Sequence, residues 1–230
     1  MCGRYQLRIE LKRLIEAYNL SIRPEELEPF EPRYNVAPTQ AMPVIRAGEH
    51  GRELVPMRWG LVPSWMKPRN GKIPAGWINA RSETAATTNA FRAAFKRRRC
   101  LVPATGFYEW KKTAGNSRQP KQPYLVQMAD EAPFVMAGLW ETWIVPDGSE
   151  TDTYVILTTS PNETMRPIHD RMPVILDDRQ TDRWLANGPE ALSDSIAPVP
   201  DGLLDIIPID IKINSPRNEG PGSVERLTVA

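Results

Sequence analysis

Short β-forming runs, broken at close intervals, limit what this chain can fold into. Residues 42–46, 54–59, 100–103, 107–111, 124–128, 134–139, 154–159 and 173–176 are rich in β-branched and aromatic side chains. Each is bounded by Pro, Gly, Asp or Asn, and the 23 prolines are spread along the chain. Such runs read as strands closed by turns. Helices are few. Leu11, Leu14, Ile15 and Tyr18 recur at helical spacing, which predicts an amphipathic helix over residues 8–19. Residues 87–98 and 181–186 predict two short helices, and residues 112–122 a polar loop. Many strands with few helices predict an α+β fold, β-rich, with a mixed sheet or barrel-like core decorated by short helices. The 230 residues show no repeat and no clean linker, so one domain over residues 1–230 is expected.

Other classes fall away on composition. No run approaches about 18 uninterrupted apolar residues, so no membrane-spanning helix is expected. The start, Met-Cys-Gly-Arg-Tyr, lacks an apolar signal region, which points to the cytoplasm. Two cysteines, Cys2 and Cys100, make no disulfide framework, and with two histidines they make a poor zinc set. No metal or cofactor is expected, and nothing implies an oligomer. The net charge of +1 hides a split: residues 1–130 carry a balance of +11 and residues 131–230 a balance of −10. Either the halves neutralise each other or the first presents a basic face suited to phosphates.

Cys2 carries the distinctive chemistry. If Met1 is removed, Cys2 holds a free α-amine beside its thiol. An α-amine titrates near ~7.7–8.0 and a thiol near ~8.5, so both have a reactive fraction at neutral pH. An aldehyde can condense with the amine to an imine, and the thiol can then close a five-membered thiazolidine. An acyl group is the rival target, and a chance second residue the plain alternative. Cys100, in the apolar run Cys100-Leu-Val-Pro103, reads as a buried structural thiol.

Five segments, in order, form a specific set: Met1-Cys-Gly-Arg4, Asn35-Val-Ala-Pro38, Trp77-Ile-Asn-Ala-Arg-Ser-Glu83, Gly106-Phe-Tyr-Glu-Trp-Lys111 and Pro167-Ile-His-Asp-Arg-Met-Pro173. Together they resemble the SRAP family, the SOS-response-associated or abasic-site-processing proteins, over nearly the whole chain. The resemblance implies removal of Met1, a thiazolidine between Cys2 and the ring-opened sugar of an abasic site, and a basic groove for single-stranded DNA on one face. It implies a role in the DNA damage response and a nucleoid-associated location when DNA is bound. It also carries an older label as a self-processing peptidase, and the imine stage would allow weak lyase activity.

Within these motifs Asn79 can orient the Cys2 amine or sugar hydroxyls, or simply form a turn. Glu109 lies between Tyr108 and Trp110 in a predicted strand, where alternation sets it on the opposite face. A carboxyl buried there would act as a proton donor near neutral pH; the alternative is a surface carboxylate paired with Lys111 or Lys112. His169 can move a proton, or serve structure alone as single histidines often do; the resemblance assigns it with Glu109 to sugar-ring opening, and the adjacent Asp170 and Arg171 could orient it. His50 reads as a solvated turn residue. Arg4 and Arg81 are candidate phosphate contacts. The run Lys96-Arg-Arg-Arg99 reads equally as a helix end or a DNA contact. Trp110 first, Trp65 after it and Trp77 last are candidates to stack on bases, with core packing the alternative, and Pro38 is a candidate wedge. No side-chain set looks built to read base edges. The rival functions are an N-terminal-cysteine hydrolase acting on peptides or amides and a non-covalent single-stranded DNA-binding module.

Overall fold

The computed structural model describes residues 2–21, 30–111, 121–145, 147–186 and 196–227. Among the described residues thirteen strands and four short helices follow in chain order: β1 (Tyr5–Leu7), α1 (Leu11–Tyr18), β2 (Arg33–Val36), β3 (Ala41–Gly48), β4 (Gly51–Trp59), β5 (Asn79–Arg81), α2 (Ser82–Ala85), α3 (Arg92–Arg97), β6 (Arg99–Ala104), β7 (Gly106–Trp110), β8 (Pro123–Met128), β9 (Phe134–Ile144), β10 (Glu150–Thr159), β11 (Met172–Pro173), β12 (Ile175–Leu176), α4 (Asp178–Leu185) and β13 (Leu204–Pro208). Two 3-10 turns, Ile211–Asn214 and Pro221–Ser223, follow β13.

Five strands close on themselves. β3 pairs antiparallel with β4 and β6, β6 with β9, and β9 with β10. The ring shuts through a parallel pairing of β10 with β4. Closure leaves these strands without a free edge. A second, antiparallel sheet runs β13-β8-β7-β1-β2. The α+β expectation of a mixed, barrel-like core is met.

The sheets share a core through aromatic rings. Tyr5 of β1 meets Trp59 of β4 edge-on, with centroids 5.2 Å apart, and its hydroxyl lies 2.7 Å from that of Tyr154 in β10. All three rings are fully buried. The paired hydroxyls satisfy each other, which removes the cost of burying either alone.

Most expected strands appear, with moved ends. β9 and β10 run on as a hairpin to Ile144 and from Glu150, beyond the expected ends. Cross-strand polar contacts hold that extension, such as Thr142 Oγ1 donating to Asp152 Oδ1 at 2.6 Å. The expected strand at 173–176 divides at Val174. Its N–H donates to Leu157 O on β10, while its own carbonyl accepts from Ala137 on β9, so the chain crosses between the two strands there. The expected helix 8–19 is shorter, and ends where Asn19 turns left-handed at φ 47°. The expected helix 87–98 keeps only Arg92–Arg97, because residues 86–91 are used in turns after α2. α4 begins earlier than expected, since Asp177 and Gln180 form a capping box. Most of the expected loop at 112–122 lies outside the described residues. No helix among the described residues is long and apolar enough to cross a membrane.

Candidate active site around Cys2

Sheet pairing brings three distant motifs together. β1 pairs with β7, which carries Glu109, with Tyr5 opposite Phe107. β10 pairs in parallel with β5, with Ile156 opposite Asn79. The segment after β10 carries His169 and returns as β11 along the same strand.

Two glycines fix the approach to Asn79. Gly60 (φ 125°) and Gly76 (φ 72°) let the chain leaving β4 pack backbone to backbone against the chain entering β5. A Cβ on either would overlap a carbonyl of the other segment. Leu61 and Trp77 then exchange two hydrogen bonds, at 3.0 and 3.1 Å. Asn79 Nδ2 donates to Cys2 O at 2.8 Å, holding the chain's start against β5.

Cys2 is fully buried, and its Sγ lies 3.6 Å from Arg4 O. Burial pushes the thiol well above its ordinary range, and the carboxylate of Glu109 pushes it further. The sulfur is therefore held as a neutral thiol. Glu109 is 2% exposed, and burial raises its carboxyl from 4.5 to about 7. A surface carboxylate paired with lysine is thereby ruled out. Tyr108 and Trp110 pack on the other face of β7, with Ile209 and Ile213.

His169 Nε2 lies 3.9 Å from Glu109 Oε2. On the other side of the ring, Nδ1 lies 2.8 Å from Asp170 Oδ1 and 3.0 Å from the Arg171 N–H. The two contacts suit opposite states. A proton on Nδ1 faces the carboxylate; its absence leaves a lone pair for the amide. The imidazole can thus hold a proton on either nitrogen. The Arg171 guanidinium turns away, forming a two-pronged pair with Glu83 at 2.6 and 2.8 Å. That pair holds the Glu83 carboxyl below its usual range and ties the His169 segment to α2.

The expected DNA contacts are more scattered. Arg4 donates to Asn35 Oδ1 (2.6 Å), Ile213 O (3.1 Å) and Asn214 O (3.3 Å), so much of its guanidinium is committed within the protein. Trp110 is partly exposed and donates through Nε1 to Asn214 Oδ1 at 2.6 Å. Arg81 is exposed at the end of β5. Trp65 is 63% exposed in a turn that receives the Trp143 Nε1 hydrogen bond at Met66 O. Trp77 is half-exposed and packs edge-on to Phe91 at 5.9 Å. Pro38 is partly buried in the turn before β3. Cys100 is fully buried and His50 exposed, as expected. Among the described residues no group of three or more His, Cys, Asp or Glu side chains is arranged to hold a metal.

Asn35 has a larger part than its motif announced. It is fully buried, and Nδ2 reaches Ile213 O, Ser215 O and Asn218 O at 3.2, 2.9 and 2.9 Å. With Arg4 it fastens the C-terminal segment beside the chain's start. A polar residue followed by an apolar stretch in a short strand was the only signal for this.

The family model described as SOS response associated peptidase (SRAP) matches residues 1–216. The chain belongs to the SRAP family. Over 229 residues it is 38% identical to the abasic site processing protein YoqW of Bacillus subtilis (strain 168), covering 98% of this chain and 99% of the relative. It is 33% identical to the abasic site processing protein HMCES of Xenopus tropicalis, covering 86% of this chain and 67% of the relative. The crystal structure of a protein from Bacteroides thetaiotaomicron superposes with a TM-score of 0.85 at 25% identity, covering 99% of this chain and all of that one.

Proposed function

We propose that this chain processes abasic sites in DNA, and that it does so by joining Cys2 covalently to the aldehyde of the ring-opened sugar in single-stranded DNA. The names of its relatives support the broad activity. The observation that carries the chemistry is the buried Glu109 carboxyl, poised at about 7 beside Cys2 and 3.9 Å from His169.

Loss of Met1 frees the Cys2 amine. His169 and Glu109 move a proton at the sugar ring oxygen, opening the hemiacetal to the aldehyde. The amine adds to the carbonyl carbon, giving a carbinolamine. Glu109 in its acid form protonates the departing hydroxyl, and water leaves to give the imine. Glu109, now a carboxylate, takes the thiol proton, and the sulfur attacks the imine carbon while the nitrogen regains a proton. The product is a thiazolidine crosslink, formed with net loss of one water. At the imine stage, loss of a proton next to the imine carbon would expel the 3′ phosphate, a weak lyase side reaction.

The test is a denaturing gel of protein incubated with an abasic single strand, comparing wild type with Cys2→Ala and Cys2→Ser. A stable shifted band is expected with wild type alone. Cys2→Ser keeps the amine but lacks the sulfur, so it should give product only when a hydride donor traps the imine. A band of equal yield in Cys2→Ala would exclude Cys2 as the attachment point. Turnover of a peptide with no DNA adduct would favour the hydrolase instead.

A further inference from the structure

The charge split between the two halves is only partly cancelled by their contact. Arg33, Arg46, Arg52 and Arg98 each pair with an acid from the second half: Glu219, Asp152, Asp182 and Glu141 respectively. Arg92, Lys96 and Arg97 of α3 form no ion pair among the described residues, and all three are exposed. They line one concavity of about 380 Å³ with Ala86, Ala93 and Arg98.

Helix electrostatics account for only part of this set. Lys96 and Arg97 sit in the last turn, where cations suit the exposed carbonyls. Arg92 is the first residue of α3, the end where a cation has the wrong sign. Arg92 and Lys96 are also four residues apart, which puts like charges on one face. Ala86 and Ala93, both exposed, line the same concavity with side chains too small to cover the cations. A bound anion would relieve all of these unfavourable effects.

Packed rings link the concavity to the Cys2 site. Phe91, immediately before Arg92, receives the edge of Trp77, and Trp77 stands two residues before Asn79. A strand delivering its sugar to Cys2 past β5 would run on toward α3. Resting on the function proposed above, we propose that Arg92, Lys96 and Arg97 form a second phosphate-binding track, which holds the backbone of the same DNA strand beyond the reacting sugar. The track grips phosphates without regard to base, so it adds affinity and no sequence preference.

Binding is read on strands of about 25 and about 5 nucleotides carrying a tetrahydrofuran analogue at their centre, which has no aldehyde and cannot crosslink. The test protein is Arg92→Gln/Lys96→Gln/Arg97→Gln. The control, Lys12→Gln/Arg13→Gln/Arg179→Gln, removes the same charge from exposed positions elsewhere. Without the three cations of the track, the slope of log affinity against log salt on the long strand should become shallower by about 2. Affinity for the long strand should fall about 10- to 100-fold at low salt, with little change for the short one. An unchanged long-strand affinity, or an equal loss in the control, would overturn the track. Crosslinking of a short strand with a true abasic site is scored in parallel. Its persistence in the α3 variant keeps the Cys2 chemistry standing if the track fails. Its absence from wild type would sink the Cys2 chemistry while leaving the binding comparison decisive for the track.

Discussion

At the scale of single residues, the buried Glu109 is the proposed acid–base group and costs stability. Its folded-state value of about 7 lies above the ordinary 4.5, so the folded protein holds a proton that the unfolded chain releases between those values. Its contribution to folding is therefore most favourable below about pH 4.5 and is lost as pH rises through about 7. Glu109→Gln should be the more stable protein at pH 8, by up to ~3 kcal/mol, with the advantage gone at pH 4; urea titrations at the two pH values check this. The same variant should crosslink abasic DNA about 10²- to 10⁴-fold more slowly. For wild type, a rising limb from the deprotonating amine and a falling limb from the ionising carboxyl predict a bell-shaped rate profile with its maximum between about pH 7 and 8. A rate that rises steadily to pH 9 would remove Glu109 from the acid role. Glu109, Asn79 and His169 were legible as chemistry-bearing residues in motifs. Their convergence was implied only by the family resemblance and by no local pattern, since it depends on β1 pairing with β7 and β5 pairing with β10.

At the scale of elements, the stronger runs were readable, β7 with Glu109 and β10 among them, and the short strands β1, β2 and β5 were not. β3, β4, β6 and β9 announce themselves by alternation and β-branched content. β1, β2 and β5 are three or four residues long and carry Gln6, Asn35 and Asn79, so nothing local distinguishes them from turns. They exist because neighbours pair with them, a tertiary effect that overrides weak local preference. Two of them meet at the C-terminal fastening. Asn35→Ala removes three donated hydrogen bonds and the acceptor for Arg4, and should cost about 1–3 kcal/mol. It should also speed hydrogen exchange over residues 211–223 while the barrel strands stay protected. Uniform acceleration throughout the chain would show that the fastening is not local. Gly76→Ala meets both a left-handed φ and a neighbouring carbonyl, and should lower Tm by several degrees while slowing crosslinking through Asn79. Loss of stability with an unaltered crosslinking rate would separate that turn from the site.

At the scale of the whole molecule, the two sheets read as one folding unit. Tyr5, Trp59 and Tyr154 join them in one core, and the five-strand barrel closes through a parallel pair distant in sequence. We expect one cooperative unfolding transition, coincident by tryptophan fluorescence and far-ultraviolet circular dichroism. Two separated transitions would divide the sheets into independent units. The β-rich class was legible because periodicity reports strands. A barrel-like core was one of two alternatives read; what decides for closure is the register of β10 against β4, which no local pattern encodes. The charge split was legible as a number, and only the ion pairs reveal which part of it stays uncancelled. Intact mass of the mature protein, taken before and after incubation with an abasic single strand, bears most directly on the central claim. The expected masses are the chain without methionine, and then that mass plus the strand less one water. Finding methionine still attached in the reacted species, or the added mass on a peptide that lacks Cys2, would contradict attachment through the N-terminal aminothiol.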